Sequence, residues 1–115
     1  MHGANAVRLR LRMPLLAAAL LCALPAGAEC LLPAAPSRIP DGSSATEQEM
    51  VAAMRTLKQY NDDVDEYTKC LDFEQRRNRI SFSEQETHRD VALNKLASVA
   101  GLFNEQVRRF KARHG

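Results

Sequence analysis

Residues 50–71 read MVAAMRTLKQYNDDVDEYTKCL, and the spacing of their apolar and aromatic members decides the fold. Met50, Ala53, Leu57, Tyr60, Val64, Tyr67 and Leu71 are separated by 3, 4, 3, 4, 3 and 4 residues. That is a heptad seam along one side of a helix, and no alternating strand reproduces it. Downstream, Leu93, Leu96, Ala100, Phe103, Val107 and Phe110 follow with gaps of 3, 4, 3, 4 and 3. Overlapping capping boxes precede each run: Ser44-x-x-Glu47 and Thr46-x-x-Glu49 near Ala45, then Ser81-x-x-Glu84 and Ser83-x-x-Glu86. Arg76, Arg77 and Arg79, and later Arg108, Arg109, Lys111 and Arg113, put cations where helix C-termini favour them. The expected fold is therefore all-α, an antiparallel two-helix hairpin with helices over about 45–77 and 83–113, turning through Asn78 to Phe82.

Folding the chain about residues 81–82 pairs positions whose numbers sum to about 163. Tyr60 then meets Phe103, Leu57 meets Val107, Val64 meets Val99 and Ala100, Leu71 meets Ala92 and Leu93, and Ala53 meets Phe110. Leu96 and Phe103 are expected to be among the most buried residues, facing Tyr67 and Tyr60. Asn61 and Asn104 fall level in the related segments LxxYNxxV and AxxFNxxV. They read either as solvated amides beside the seam or as a polar contact fixing register.

Working outward toward the N-terminus, residues 1–28 read as a secretory signal. Arg8, Arg10 and Arg12 precede the apolar run Met13 to Leu24, Pro25 breaks it, and Ala26-Gly27-Ala28 supplies small residues for cleavage. The run is about 12 residues, too short for a span of roughly 20. A lipoprotein needs a small residue before its cysteine, and Glu29 stands before Cys30. Cleavage after Ala28 leaves 87 residues (115 minus 28), with 13 basic and 14 acidic groups. The basic balance of the full chain thus belongs to the signal and gives no argument for nucleic-acid binding. With no Trp and few aromatics there is no stacking platform either. A chain this short makes one small domain with a modest core, the size at which a staple is often needed.

Residues 29–44, ECLLPAAPSRIPDGSS, form an extended proline-rich arm carrying Pro33, Pro36 and Pro40 and ending in the turn pair Asp41-Gly42. The hairpin occupies 45–115. Cys30 and Cys70 are the two thiols that remain after cleavage, in a compartment that oxidises them. Residues 45–70 of a helix span about 37 Å at ~1.5 Å per residue. The fifteen residues from 30 to 45 reach about 46 Å in polyproline geometry. A Cys30–Cys70 disulfide is therefore reachable when the arm lies nearly extended and antiparallel along the first helix. Pro36 then sits near Tyr60 and Pro33 near Tyr67, and Leu31, Leu32 and Ile39 are placed to cover the groove between the helices. An intermolecular bridge is the alternative.

Little in the chain points to catalysis. Glu84 and His88 are one helical turn apart with Asp90 nearby, but no second His completes a metal-ligand set, and such pairs are common on solvated helix faces. The acidic run Asp62, Asp63, Asp65, Glu66 lacks the glycine and spacing of a calcium loop. There is no GxSxG, no glycine-rich phosphate loop and no CxxC.

The ordered set of Cys30, the arm ending Ile39-Pro40-Asp41-Gly42, Ala45-Thr46-x-x-Glu49-Met50, Tyr67-x-x-Cys70-Leu71 and Phe103-Asn104 resembles a group of small uncharacterised secreted proteins of Gram-negative bacteria. The resemblance implies a periplasmic helical protein and brings no catalytic residues. The expected function is a non-enzymatic structural or interaction module, periplasmic or secreted. Its partner would be a protein of the cell envelope, with a homodimer as an open stoichiometry. No cofactor, no nucleic acid and no stable membrane anchor after cleavage are expected. The alternative is a small ligand- or metal-binding protein using the arm–helix groove or the Glu84-His88-Asp90 face. Met54, Val51 and Leu102 discriminate: a partner surface leaves them exposed, whereas a ligand cavity buries them.

Overall fold

The computed structural model describes residues 29–115, so the signal reading of residues 1–28 lies outside the described residues. Two helices, α1 (Glu47–Arg76) and α2 (Phe82–His114), pack antiparallel as a hairpin, and the extended arm lies against both. Each helix starts at one of its two candidate caps, α1 with the full reciprocal box and α2 with the serine cap. Thr46 caps α1: its hydroxyl accepts from the Glu49 N–H at 3.1 Å, and the Glu49 carboxylate accepts from the Thr46 N–H at 2.9 Å. Ala45 just before this cap and Met50 just inside the helix are buried in one cluster, a hydrophobic staple that sets the entry angle. Ser81 caps α2 by accepting from the Glu84 N–H at 3.0 Å. Ser83 is left inside the helix, where its carbonyl accepts from the Thr87 hydroxyl.

The turn between the helices has a specific geometry. Asn78 adopts φ 60°, the left-handed region, and its N–H donates to the Gln75 carbonyl while the Arg79 N–H donates to that of Glu74. These are the two bonds of a Schellman motif, with Asn in the position usually held by Gly. The contact that normally accompanies the motif is apolar. Here it is an ion pair, Arg79 Nη1 to Glu74 Oε2 at 3.5 Å.

The α1 seam is buried as expected, with Met50, Tyr60, Val64, Tyr67 and Leu71 all inside and Ala53 and Leu57 partly so. The second half of the α2 seam, Phe103, Val107 and Phe110, packs as expected, whereas its first half is shifted by one residue. Ala92 is fully buried and Val99 nearly so, whereas Leu93 is 39% exposed and Ala100 and Leu96 are only half-buried. Adjacent apolar pairs at 92–93 and 99–100 satisfy a heptad equally well, so the pattern is degenerate. The arm breaks the degeneracy: it adds a third element on one flank, and α2 turns Ala92 and Val99 toward it. Small Ala92 shares a cluster with bulky Tyr67 and Leu71, which lets the helices approach closely. Phe103 is buried with Met50 and Ala45 as a second cluster at the open end of the hairpin.

The arm is held at both ends. Cys30 and Cys70 form a disulfide with Cα atoms 5.7 Å apart. At the other end Asp41 builds a turn, its carboxylate accepting from the Ser43 N–H at 2.8 Å and its carbonyl from Ala45 at 2.8 Å. The Gly42 N–H donates to Gln106 Oε1 at 2.9 Å, and the Arg113 guanidinium donates to the Ala45 carbonyl. Between the anchors Cys30, Ala35 and Ile39 face the core. Leu31 and Leu32 do not cover the groove as expected; they are 81% and 53% exposed. Half-buried residues recur at 30, 33, 36 and 39, the three-residue period of polyproline geometry, so with Cys30 held inward by the bridge both Leu31 and Leu32 fall on outward sides.

Gly42 is required by proximity to α2. A Cβ there would stand 1.9 Å from the Gln106 carbonyl oxygen and 2.9 Å from the Phe110 nitrogen, both backbone atoms that cannot swing away. Gly42→Ala is expected to cost about 2–3 kcal/mol by forcing the turn off α2, read as a lower urea midpoint. An unchanged midpoint would mean that this turn is not seated on α2 in solution.

Candidate functional site

Hollows border the core on both flanks of the hairpin, and the arm divides them into two kinds. On the flank away from the arm, the helices alone line a trough of about 420 Å³. Met54 and Leu57 from α1 and Leu93, Leu96 and Ala100 from α2 form its walls, with Lys58 and Asn61 on its rim. Through Met54 it continues into a smaller hollow of about 210 Å³ formed by Val51, Val107 and Phe110, with Lys111 at the edge. The heptad geometry explains the arrangement. Two helices meeting on a 3.5-residue seam leave a groove on each flank, and the arm fills only one. Met54 is 53% exposed, Val51 is half-buried, and Leu102 is exposed without lining either hollow. Asn61 and Asn104 are both exposed, which matches the solvated-amide reading.

On the arm side, a cleft of about 520 Å³ lies between Leu32, Pro33 and Ala35 of the arm, Tyr60 of α1, and Val91 and Lys95 of α2. Burial pushes the Tyr60 hydroxyl above its ordinary pKa because the phenolate would lose water. Beside the disulfide, a recess of about 440 Å³ brings together Glu29, Tyr67, Glu74, Arg79 and His88. Glu74 is buried, which the sequence reading did not anticipate; its signal was the continuation of the α1 seam by three residues beyond Leu71. Gln85 is the second buried polar residue. Its side-chain amide donates to the Asp72 carboxylate, which also lies 3.9 Å from Arg89, while Gln85 Oε1 has no partner. The shifted heptad 85-92-99 contains Gln85, so the one-residue misphasing that displaced Leu93 also hid this contact.

The structure separates the candidates of the Glu84-His88-Asp90 face. All three are exposed, and only His88 reaches the recess. Among the described residues no group of three or more His, Cys, Asp or Glu is placed to hold a metal ion. The acidic run of α1 is laced to its own helix. Asp62 pairs with Lys58 at 3.4 Å, Asp65 and Glu66 with Lys69 at 3.0 and 3.4 Å, and Asp63 accepts from Gln59 at 2.8 Å. The Asp65 hydrogen bond and then its charge raise the Lys69 pKa, as a solvated helix face would. No helix of the described residues is long and apolar enough to cross a membrane.

Comparison with protein-family models, curated proteins and solved structures returns no match to this chain, so its surfaces are read from their own residues.

Proposed function

We propose that the chain is a non-enzymatic interaction module of the periplasm, and that its open trough receives an amphipathic helix of a cell-envelope protein. The observation that carries this reading is the unfilled flank of the seam, with Met54 and Leu93 exposed beside half-buried Leu57 and Leu96. An amphipathic helix laid in an apolar groove buries such side chains at i, i+3 and i+4 spacing. Lys58 and Lys111 on the rims favour a helix with acidic flanks. The Cys30–Cys70 bridge fits an oxidising compartment, and the signal-like residues 1–28 supply a route to it. Arm and disulfide then occupy one flank, so that the groove between the helices alone is open only on the other.

A photo-crosslinking side chain at Met54, introduced in periplasmically expressed protein, tests the trough. The expected result is one discrete adduct, identified by mass spectrometry as an envelope protein and lost when Leu93→Glu is added. An adduct with the chain itself would make the occupant a second copy, and no adduct would overturn the reading. The arm cleft, within the size range of small-molecule sites, favours the second reading of a ligand-binding protein. Native mass spectrometry of protein purified from periplasm would reveal such a ligand as a retained mass.

A further inference from the structure

We propose that the recess beside the disulfide is a binding site for a primary ammonium, namely the chain's own α-amino group created by cleavage between Ala28 and Glu29. It rests on the signal reading for its origin in the cell, but not for its chemistry.

The geometry follows from chain direction. The disulfide fixes Cys30 beside Cys70, and from there the arm runs back to Ala45 at the start of α1. Arm and α1 are thus antiparallel, and the residue before Cys30 must lie toward higher α1 numbers. Glu74 is the next turn in that direction, about 6 Å beyond Cys70 along the axis, and one residue step of chain is about 3.8 Å. Glu29 indeed lines the same recess as Glu74.

The charges in the recess are unbalanced. Two carboxylates, Glu29 and Glu74, share the recess with one guanidinium, Arg79, and with His88 of α2 and Tyr67 of α1. Glu74 has a side chain only 11% exposed and pairs with Arg79 at 3.5 Å. One unit of negative charge is left over, in a hollow whose remaining walls are Leu71, Ile80 and the disulfide. Apolar walls strengthen any charge interaction made there. In the unprocessed chain the backbone nitrogen of Glu29 offers a single amide N–H and no charge. After cleavage it offers three donors and a positive charge. Processing therefore converts the backbone nitrogen of the arm's first residue into the missing cation and ties it to Glu74 beside the bridge.

Two oxidised chains decide the matter, one beginning at Glu29 and one retaining Ala28 before it. In the first, the α-amino pKa, read by NMR, is expected above the ordinary ~7.7–8.0 and to return toward it in Glu74→Gln. The associated stability is complete below the unfolded pKa and is lost as pH rises through the raised folded value. Retaining Ala28 moves the ammonium one residue outward and should lower the melting temperature by a few degrees at pH 7. The two lengths should melt together once Glu74 is replaced by Gln. An ordinary α-amino pKa together with equal melting of the two parent chains would overturn the proposal, and this comparison stands even if the Glu74 variant fails to fold. Intact mass of protein isolated from periplasm tests the signal reading separately. An N-terminus other than Glu29 would refute that reading while leaving the Glu29-initiated measurements to judge the recess.

Discussion

Phe103→Ala is expected to destabilise the protein by about 3–5 kcal/mol, the range for truncating a buried aromatic. Phe103 is 8% exposed and sits where three elements converge. Met50 of α1 and Ala45 of the arm–helix junction share its buried cluster, and Leu57, Val107, Phe110 and Ile39 close round it. Because arm, α1 and α2 all contribute, no single side chain can relax into the space that Ala would leave. Urea unfolding followed by helical circular dichroism measures the loss, and for a domain of this size the melting point should fall by more than about 10 °C. Phe103→Leu keeps most of the volume and should lose much less. A cost below about 1 kcal/mol for the Ala variant would place Phe103 at the surface. The second core cluster would then not exist in solution, and the helices would be paired in another register.

The hairpin was legible because its signals are local and redundant. The α1 seam, the Thr46-Glu49 box and the Ser81 cap all depend on residues within a turn or two of one another. Two heptad runs with a single turn between them leave one topology, and levels that agree reinforce the reading. What escaped depends on the third element. Adjacent apolar residues at 92–93 and 99–100 allow two phases of α2, and periodicity prefers the larger Leu93. Only the position of the arm selects Ala92. Leu31 and Leu32 read as inward because they are apolar, yet a polyproline arm pinned at Cys30 turns every third residue inward regardless of hydropathy. Gly42 reads as ordinary turn chemistry, since nothing in the sequence announces that the Gln106 carbonyl will pass where a Cβ would stand. The recess is nonlocal in the same way: Glu29, Glu74 and His88 share no motif and are joined only by the course of the arm.

Reducing the Cys30–Cys70 bridge should destabilise the fold by roughly 4 kcal/mol, the chain-entropy figure for a loop of about forty residues, here closed at a sequence separation of 40. For a single domain with so small a core this is a large share of the total. The loss should not be uniform along the chain. Near Ala45 the arm keeps its noncovalent anchors, the Gly42–Gln106 hydrogen bond and the Arg113 contact with the Ala45 carbonyl. Toward Cys30, with the bridge open, the inward apolar residues are Ala35 with a single methyl and the half-buried rings of Pro33 and Pro36, and among the described residues no hydrogen-bonded anchor accompanies them. Residues 29–38 should therefore detach first, uncovering Tyr60 and Tyr67, while Ile39 and the turn stay seated. The hairpin, with seam and caps intact, should keep most of its helical signal at low temperature and melt earlier on heating. Cys30→Ser with Cys70→Ser should reproduce reduction. Amide exchange resolved along the chain should show protection lost in the arm and retained at Val64 and Val99. Non-reducing peptide mapping of freshly isolated protein tests the bond directly. Two free thiols, or a covalent dimer through Cys30, would remove the clamp and with it the ammonium site, because nothing else in the arm forces residue 29 toward Glu74.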